Sequence, residues 1–155
     1  MEFEKIFFKS FDQLDTLQLY KILQLRSAVF VVEQNCIYPD LDDKDQMSYH
    51  LWMEDNEGHA MAYGRILPPG VSYQGYSSIG RIVSSQKYRK EGRGRQICGL
   101  CVEKTHMLFP DFPIKISAQS YLLKFYESFG FEAIGSEYLE DEIPHQAMVK
   151  KRLEI

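Results

Sequence analysis

Apolar and polar positions follow two different periods along this chain. Glu2 to Phe8 reads as a first strand. From Leu14 to Val32, apolar residues recur at Leu17, Tyr20, Ile22, Leu25, Ala28 and Val29, close to the 3.6-residue repeat of a helix, with Asp15 or Thr16 as its cap. Asn35 to Met47 holds Pro39 and four aspartates and reads as a loop. Two strands are predicted near Tyr49 to Asp55 and His59 to Leu67, joined by the turn Asn56-Glu57-Gly58, before Pro68-Pro69-Gly70 breaks the chain.

A strand near Ser77 to Val83 leads into a glycine-bearing, charged segment, Lys87 to Gly94. Arg95 to Leu108 is helical by spacing and is ended by Pro110 and Pro113. A short buried-type strand follows at Ile114 to Ala118, then a short helix from Tyr121 to Phe129, stopped by Gly130. Two last strands lie near Phe131 to Tyr138 and Gln146 to Lys151. This order of elements predicts an α+β domain of three α/β/α layers around a mixed, mostly antiparallel sheet. No repeat or linker interrupts residues 1–155, so a single domain is expected.

The composition, 45% hydrophobic and 26% charged in 155 residues, suits a chain that buries one core. A net charge of −4 disfavours a nucleic-acid partner, whose affinity would come from neutralised phosphates. The acidic N-terminus is not a secretory signal, and the longest apolar run, Ala28 to Val32, is far too short to span a bilayer. Three cysteines form an odd set in a chain without an export signal, which points to reduced thiols in the cytoplasm. Cys98 and Cys101 share one face of the predicted helix and are read as packing. The four histidines show no metal-ligand spacing, and no metal is expected.

The segment Arg89-Lys90-Glu91-Gly92-Arg93-Gly94 follows a strand and opens a helix. Glycines let the backbone approach a ligand, and the free amides and dipole at a helix start favour phosphate oxygens. Lys87 and Arg95 add charge around it. The segment lacks the Gly-Lys-Ser/Thr of a mononucleotide loop and the third glycine of a dinucleotide loop.

Arg89-x-x-Gly92-x-Gly94 resembles the acetyl-CoA pyrophosphate loop of the GNAT superfamily, Gln/Arg-x-x-Gly-x-Gly/Ala. Ile79-Gly80-Arg81-Ile82-Val83 resembles that family's central strand. The run from Ala118 to Phe131, with Phe125-Tyr126 and Gly130-Phe131, resembles its second signature. Leu25 to Cys36, Tyr38, Asp40, Asp42, Ala118-Gln119 and Glu140 to His145 are similar to the ElaA-type subfamily.

The resemblance implies a GNAT fold and an N-acetyltransferase that moves an acetyl group from acetyl-CoA to a primary amine by direct attack in a ternary complex. It implies that Arg89, Lys90, Glu91, Gly92, Arg93, Gly94 and Arg95 hold the pyrophosphate. It also puts Ile82 and Val83 amides on the pantetheine arm and thioester, with Gln119 and Tyr126 nearby. Tyr126 is the expected general acid, although a tyrosine on an amphipathic helix is otherwise packing. Glu33 is the expected base, with His50 and His145 as other candidates. The superfamily's frequent dimers extend to an expected homodimer.

The run Asp40 to Asp45 is expected to be a solvated loop, able to attract a cationic acceptor. A different class of function, a non-catalytic acyl-CoA-binding module, shares the same loop.

Overall fold

The computed structural model describes residues 4–154; Glu2 and Phe3 of the expected first strand lie outside them. The chain runs β1 (Lys5–Ser10), α1 (Thr16–Arg26), β2 (Tyr49–Glu54), β3 (Ala60–Leu67), β4 (Ser78–Ser84), α2 (Arg93–Leu108), β5 (Ile114–Gln119), α3 (Leu123–Glu127), β6 (Glu132–Glu140) and β7 (Ile143–Lys150). One sheet has the order β1-β2-β3-β4 and the other β5-β7-β6, with antiparallel neighbours throughout. Among the described residues no helix is long and apolar enough to cross a membrane.

Asp15, not Thr16, caps α1. Its Oδ1 accepts the Gln18 amide at 2.7 Å, and the Gln18 side chain accepts the Asp15 amide at 3.1 Å. The expected single helix to Val32 changes its winding. After Arg26 the chain continues as a π-helical segment, Ser27–Glu33, in which the Gln34 amide reaches back five residues to the Val29 carbonyl. The wider turn brings Phe30 beside Val29 onto the core and leaves Val32 73% exposed.

Strand alternation divides the core between two layers of helix. Leu51 and Met53 of β2 face Ile97, Cys101 and Val102 of α2. Trp52, Tyr63 and Val83 face Ile22, Leu25 and Val29 on the other side. The α2 cluster continues across the second sheet through Ile116, Ala118 and Met148.

The Cys98-x-x-Cys101 pair is part of this packing, buried and free of disulfide. Gly64 lets α2 come this close. A Cβ there would overlap the Cys101 sulfur and lie 2.9 Å from Ile82 Cδ1.

Opposite Gly64 the β3–β4 ladder is bulged. Its register passes from Tyr63–Val83 to Arg65–Gly80, so Arg81 and Ile82 of β4 together oppose one residue of β3. Arg81 sits at φ +52°. Its guanidinium turns toward the 40–45 loop, with Nε 2.8 Å from Asp40 Oδ1.

Three of that loop's four aspartates, Asp40, Asp42 and Asp45, are not solvated, contrary to the reading of the run; Asp43 is exposed. Arg26 is fully buried and binds Asp40 at 2.9 Å and Asp45 at 2.7 Å. Arg65 grips Asp42 with two hydrogen bonds of 2.8 Å and reaches Asp45 at 3.0 Å. Three guanidiniums thus neutralise three of the four carboxylates, and Lys44 offsets the charge of the exposed Asp43, which leaves no net charge there to draw a cationic acceptor. Burial pushes the Asp42 carboxyl up, but the Arg65 hydrogen bonds and charge outweigh it and hold the group at about 2.

Two stability effects follow from these contacts. Gly64→Ala should cost about 1–3 kcal/mol by overpacking, and less when combined with Cys101→Ala, which removes the colliding sulfur. Denaturant unfolding of the four proteins measures this, and strict additivity would show that the two residues do not meet. Asp45→Asn should cost about 3–5 kcal/mol, because it leaves Arg26 and Arg65 short of one charge in a buried place. A loss under about 1 kcal/mol in the same measurement would show that the network is not sealed from water.

Candidate active site

The two sheets touch at one end and part at the other. Ser77 donates to the Pro113 carbonyl at 3.1 Å and accepts from the Lys115 amide at 2.9 Å, forming a single parallel bridge with β5. Beyond it, β4 and β5 make no further ladder. The backbone of β4 on that side therefore has no strand partner among the described residues. A cleft of about 960 Å³ fills the gap.

Ile82, Val83, Arg89, Gly94, Gln119, Tyr126 and Glu33 all line this cleft. Ile82 and Val83 come from the bulged end of β4. Gln119 is the last residue of β5, paired in register with His145.

The glycine loop sits at the mouth. A 3₁₀ turn, Gln86–Glu91, ends at Gly92, whose φ of +74° favours glycine, and α2 begins at Arg93, two residues before the expected start. The first helical hydrogen bond is from the Gln96 amide to the Gly92 carbonyl, which leaves the amides of Arg93, Gly94 and Arg95 outside the ladder at the positive end of a 16-residue helix. A Cβ on Gly92 would meet nothing within 4 Å, and one on Gly94 only the Ser84 side chain at 3.6 Å. The protein's own packing therefore does not demand glycine at position 94. The cradle has room for a ligand that approaches the backbone.

The cationic side chains divide. Arg89 lines the cleft, whereas Lys90, Glu91, Gly92, Arg93 and Arg95 do not. Arg93 pairs with Glu4 and with Glu91, and Arg95 lies over the Phe129 ring at 4.9 Å. Of the last three loop residues, Gly94 lines the cleft, and with no side chain it offers backbone.

Tyr126 is fixed by the turn that ends α3. The Phe131 amide bonds the Tyr126 carbonyl at 3.3 Å, the Gly130 amide bonds the Glu127 carbonyl at 2.9 Å, and Gly130 has φ +93°. This is a Schellman motif. Its usual apolar contact is made by the Tyr126 and Phe131 rings, edge to face at 5.9 Å. Tyrosine, glycine and phenylalanine at this spacing thus form one structural unit. Burial, then the neighbouring Cys98 and Cys101, raise the phenol pKa, so the hydroxyl stays protonated. The same burial pushes the Cys98 thiol up to about 12.

Glu33 ends the π-helical segment and pairs across the cleft with Arg89. Its Oε2 accepts from Nη2 at 2.8 Å, and its Oε1 accepts from Nη1. The Arg89 hydrogen bond holds the carboxyl below its ordinary range.

His50 is not in the cleft. Its ring is fully buried, with Nδ1 2.7 Å from the Tyr63 hydroxyl and Nε2 2.9 Å from the Asp45 carbonyl, so it braces the loop and is not available as a base. His145 does line the cleft. Its Nδ1 lies 2.7 Å from the Ile143 carbonyl and its Nε2 3.2 Å from the Glu140 carboxylate.

Sequence reasoning passed over Arg81, which locks the bulge to the loop. A charged residue after glycine inside an apolar strand was its one visible sign. The Ser117–Tyr138 hydroxyl pair, which joins β5 to β6 over the intervening β7, left no local signal.

The sequence model of the acetyltransferase (GNAT) domain matches residues 24–152. Protein ElaA of Escherichia coli is 40% identical over 143 residues, covering 90% of this chain and 91% of that one. Its crystal structure superposes with a TM-score of 0.88 at 36% identity, over 96% of this chain and all of the other. An acyl-CoA N-acyltransferase from Pseudomonas aeruginosa superposes with a TM-score of 0.90 at 38% identity, with the same coverage. A cleft between parted strands, a glycine turn at a helix start and these likenesses agree: the chain belongs to the GNAT acetyltransferase family, in its ElaA-type branch, and is an acyltransferase whose donor is an acyl-CoA.

Proposed function

We propose that this protein is a cytoplasmic N-acetyltransferase that passes the acetyl group of acetyl-CoA directly to a primary amine in a ternary complex. The observation that carries this reading is one cleft lined by Arg89 and Gly94 of the glycine turn, by Ile82 and Val83 of the unpaired edge of β4, and by Tyr126.

In this reading the amides of Arg93, Gly94 and Arg95, with the Arg89 guanidinium, hold the pyrophosphate. The pantetheine arm lies along β4 in the place of a missing strand, beside Gln119. The amine nitrogen attacks the thioester carbonyl. The resulting oxyanion is met by backbone N–H groups of Ile82 and Val83, a role that needs no particular side chain. The carbon–sulfur bond then breaks, and the thiolate takes the Tyr126 proton.

A phenol is a weak acid beside an ordinary thiol, whose pKa is about 8.5. Burial raises the phenol further, so the transfer depends on position, with the hydroxyl set against the departing sulfur. Glu33 accepts the proton lost by the amine, directly or through a water.

Thiol release from acetyl-CoA across a panel of primary amines tests the activity, and no release with any of them would count against it. Gly94→Val should weaken CoA binding by about ten- to a hundredfold, the value of one charge-assisted hydrogen bond. Calorimetry reads this, and an unchanged affinity would remove the loop from the site. Tyr126→Phe keeps the ring, the contact with Phe131 and the Schellman turn. It should lower kcat by roughly 10²-fold with little change in the CoA dissociation constant. Wild-type turnover in this variant, with chemistry limiting, would reduce Tyr126 to packing.

A further inference from the structure

The Glu33–Arg89 pair spans the mouth of the cleft, 56 residues apart in sequence, and joins the end of the π-helical segment to the glycine turn. Two oxygens of one carboxylate meet two nitrogens of one guanidinium. Arg89 Nη2 also leans on the Ser84 carbonyl at 3.3 Å. Both side chains are partly open to water, 43% for Arg89 and 30% for Glu33. Among the described residues Glu33 makes no other ion pair.

We propose that this pair is an exchange latch: a CoA pyrophosphate takes Arg89 from Glu33, and the released carboxylate becomes the binding point for a cationic amine acceptor. The inference rests on the assignment of the glycine turn to the pyrophosphate, and adds an order of events and an acceptor class to it.

A guanidinium presents the same planar fork to a carboxylate and to a phosphate, so the two anions are direct competitors for it. A diphosphate carries more charge than one carboxylate and also gains the amides of Arg93, Gly94 and Arg95, whereas Glu33 brings no second anchor. Ion pairs this exposed are weak, so the exchange costs little.

Before exchange, the carboxylate is neutralised and held below its ordinary range by Arg89, which suits neither binding an ammonium nor accepting its proton. After exchange it faces the cleft without a cation. A primary ammonium supplies the missing charge and the proton that Glu33 then takes. Coupling of this kind is reciprocal: whatever CoA adds to amine binding, the amine adds to CoA binding.

The test is a double-mutant cycle on CoA affinity, read by calorimetry with CoA itself as probe. In the wild type, Glu33 competes with the ligand for Arg89. Glu33→Gln should therefore bind CoA about two- to fivefold tighter, the size of an exposed pair. Arg89→Gln should bind it more weakly. In the Arg89→Gln background, Glu33→Gln should change nothing, because no competition remains to relieve.

An equal gain in both backgrounds would overturn the latch, showing only that a negative charge near the phosphates had been removed. An unchanged affinity on Glu33→Gln alone would overturn it as well. A wild type that does not bind CoA would instead sink the assignment of the glycine turn, a failure distinct from that of the latch. Both side chains lie at the surface, so the variants keep the fold.

Discussion

Three arginines and three aspartates closed on one another beneath the 40–45 loop decide where one wall of the cleft stands. Arg26 comes from the end of α1, Arg65 from β3 and Arg81 from the bulge of β4, so one loop is tied to three elements at once. Buried ion pairs add little net stability over a well-packed apolar alternative. What they add here is position, since each carboxylate has two cationic claimants and the loop has one arrangement that serves them all. His50 extends the same bracing by contacting the Asp45 carbonyl and the Tyr63 hydroxyl. The π-helical winding begins one residue after Arg26, and it carries the chain from that anchor to Glu33 at the mouth.

The other wall depends on how closely α2 lies on the sheet. Gly64 lets the helix sink onto β3, and the bulge opposite Gly64 turns Arg81 toward the loop. The start of the helix, with its free amides, is thereby set beside the end of β4. The strand that should pair with β4 leaves after a single bridge at Ser77. Glycine turn, unpaired strand edge and tyrosine are thus fixed by separate contacts that converge on one gap.

What was legible in the sequence was local. Arg89-x-x-Gly92-x-Gly94 forms its turn and opens α2 within six residues, and Tyr126, Gly130 and Phe131 form one capping unit within another six. Period and turn chemistry likewise gave most element boundaries to within a residue or two, because glycines, prolines and polar turns punctuate the chain between its apolar segments.

Most failures were of partnership across the chain. Asp40, Asp42 and Asp45 look solvated until the arginines 14 to 41 residues away are placed beside them. Glu33 looks like a free carboxylate until Arg89 is. Tyr63 and Asp45 occupy both nitrogens of His50, and nothing near position 50 announces them. The change to π winding after Arg26 was also hidden, because Val29, Val31 and Val32 satisfy a helical repeat whichever way the segment is wound.

The parting of β4 from β5 puts an edge in the interior of the molecule, where most proteins keep none. Unpaired strand backbone is a template for any chain that can add a strand. Outer edges are blunted by charge, as β6 is with Glu132, Glu137 and Glu140, but an edge that must accept a ligand has to stay clean. The occupant of the cleft is then part of the folding equilibrium as well as of the chemistry. By mass action its concentration sets the fraction of molecules that are open. Where an acyl-CoA fills that edge, its supply bears on the lifetime of the protein as well as on its rate: a shortage would slow the reaction and also thin the population of the catalyst.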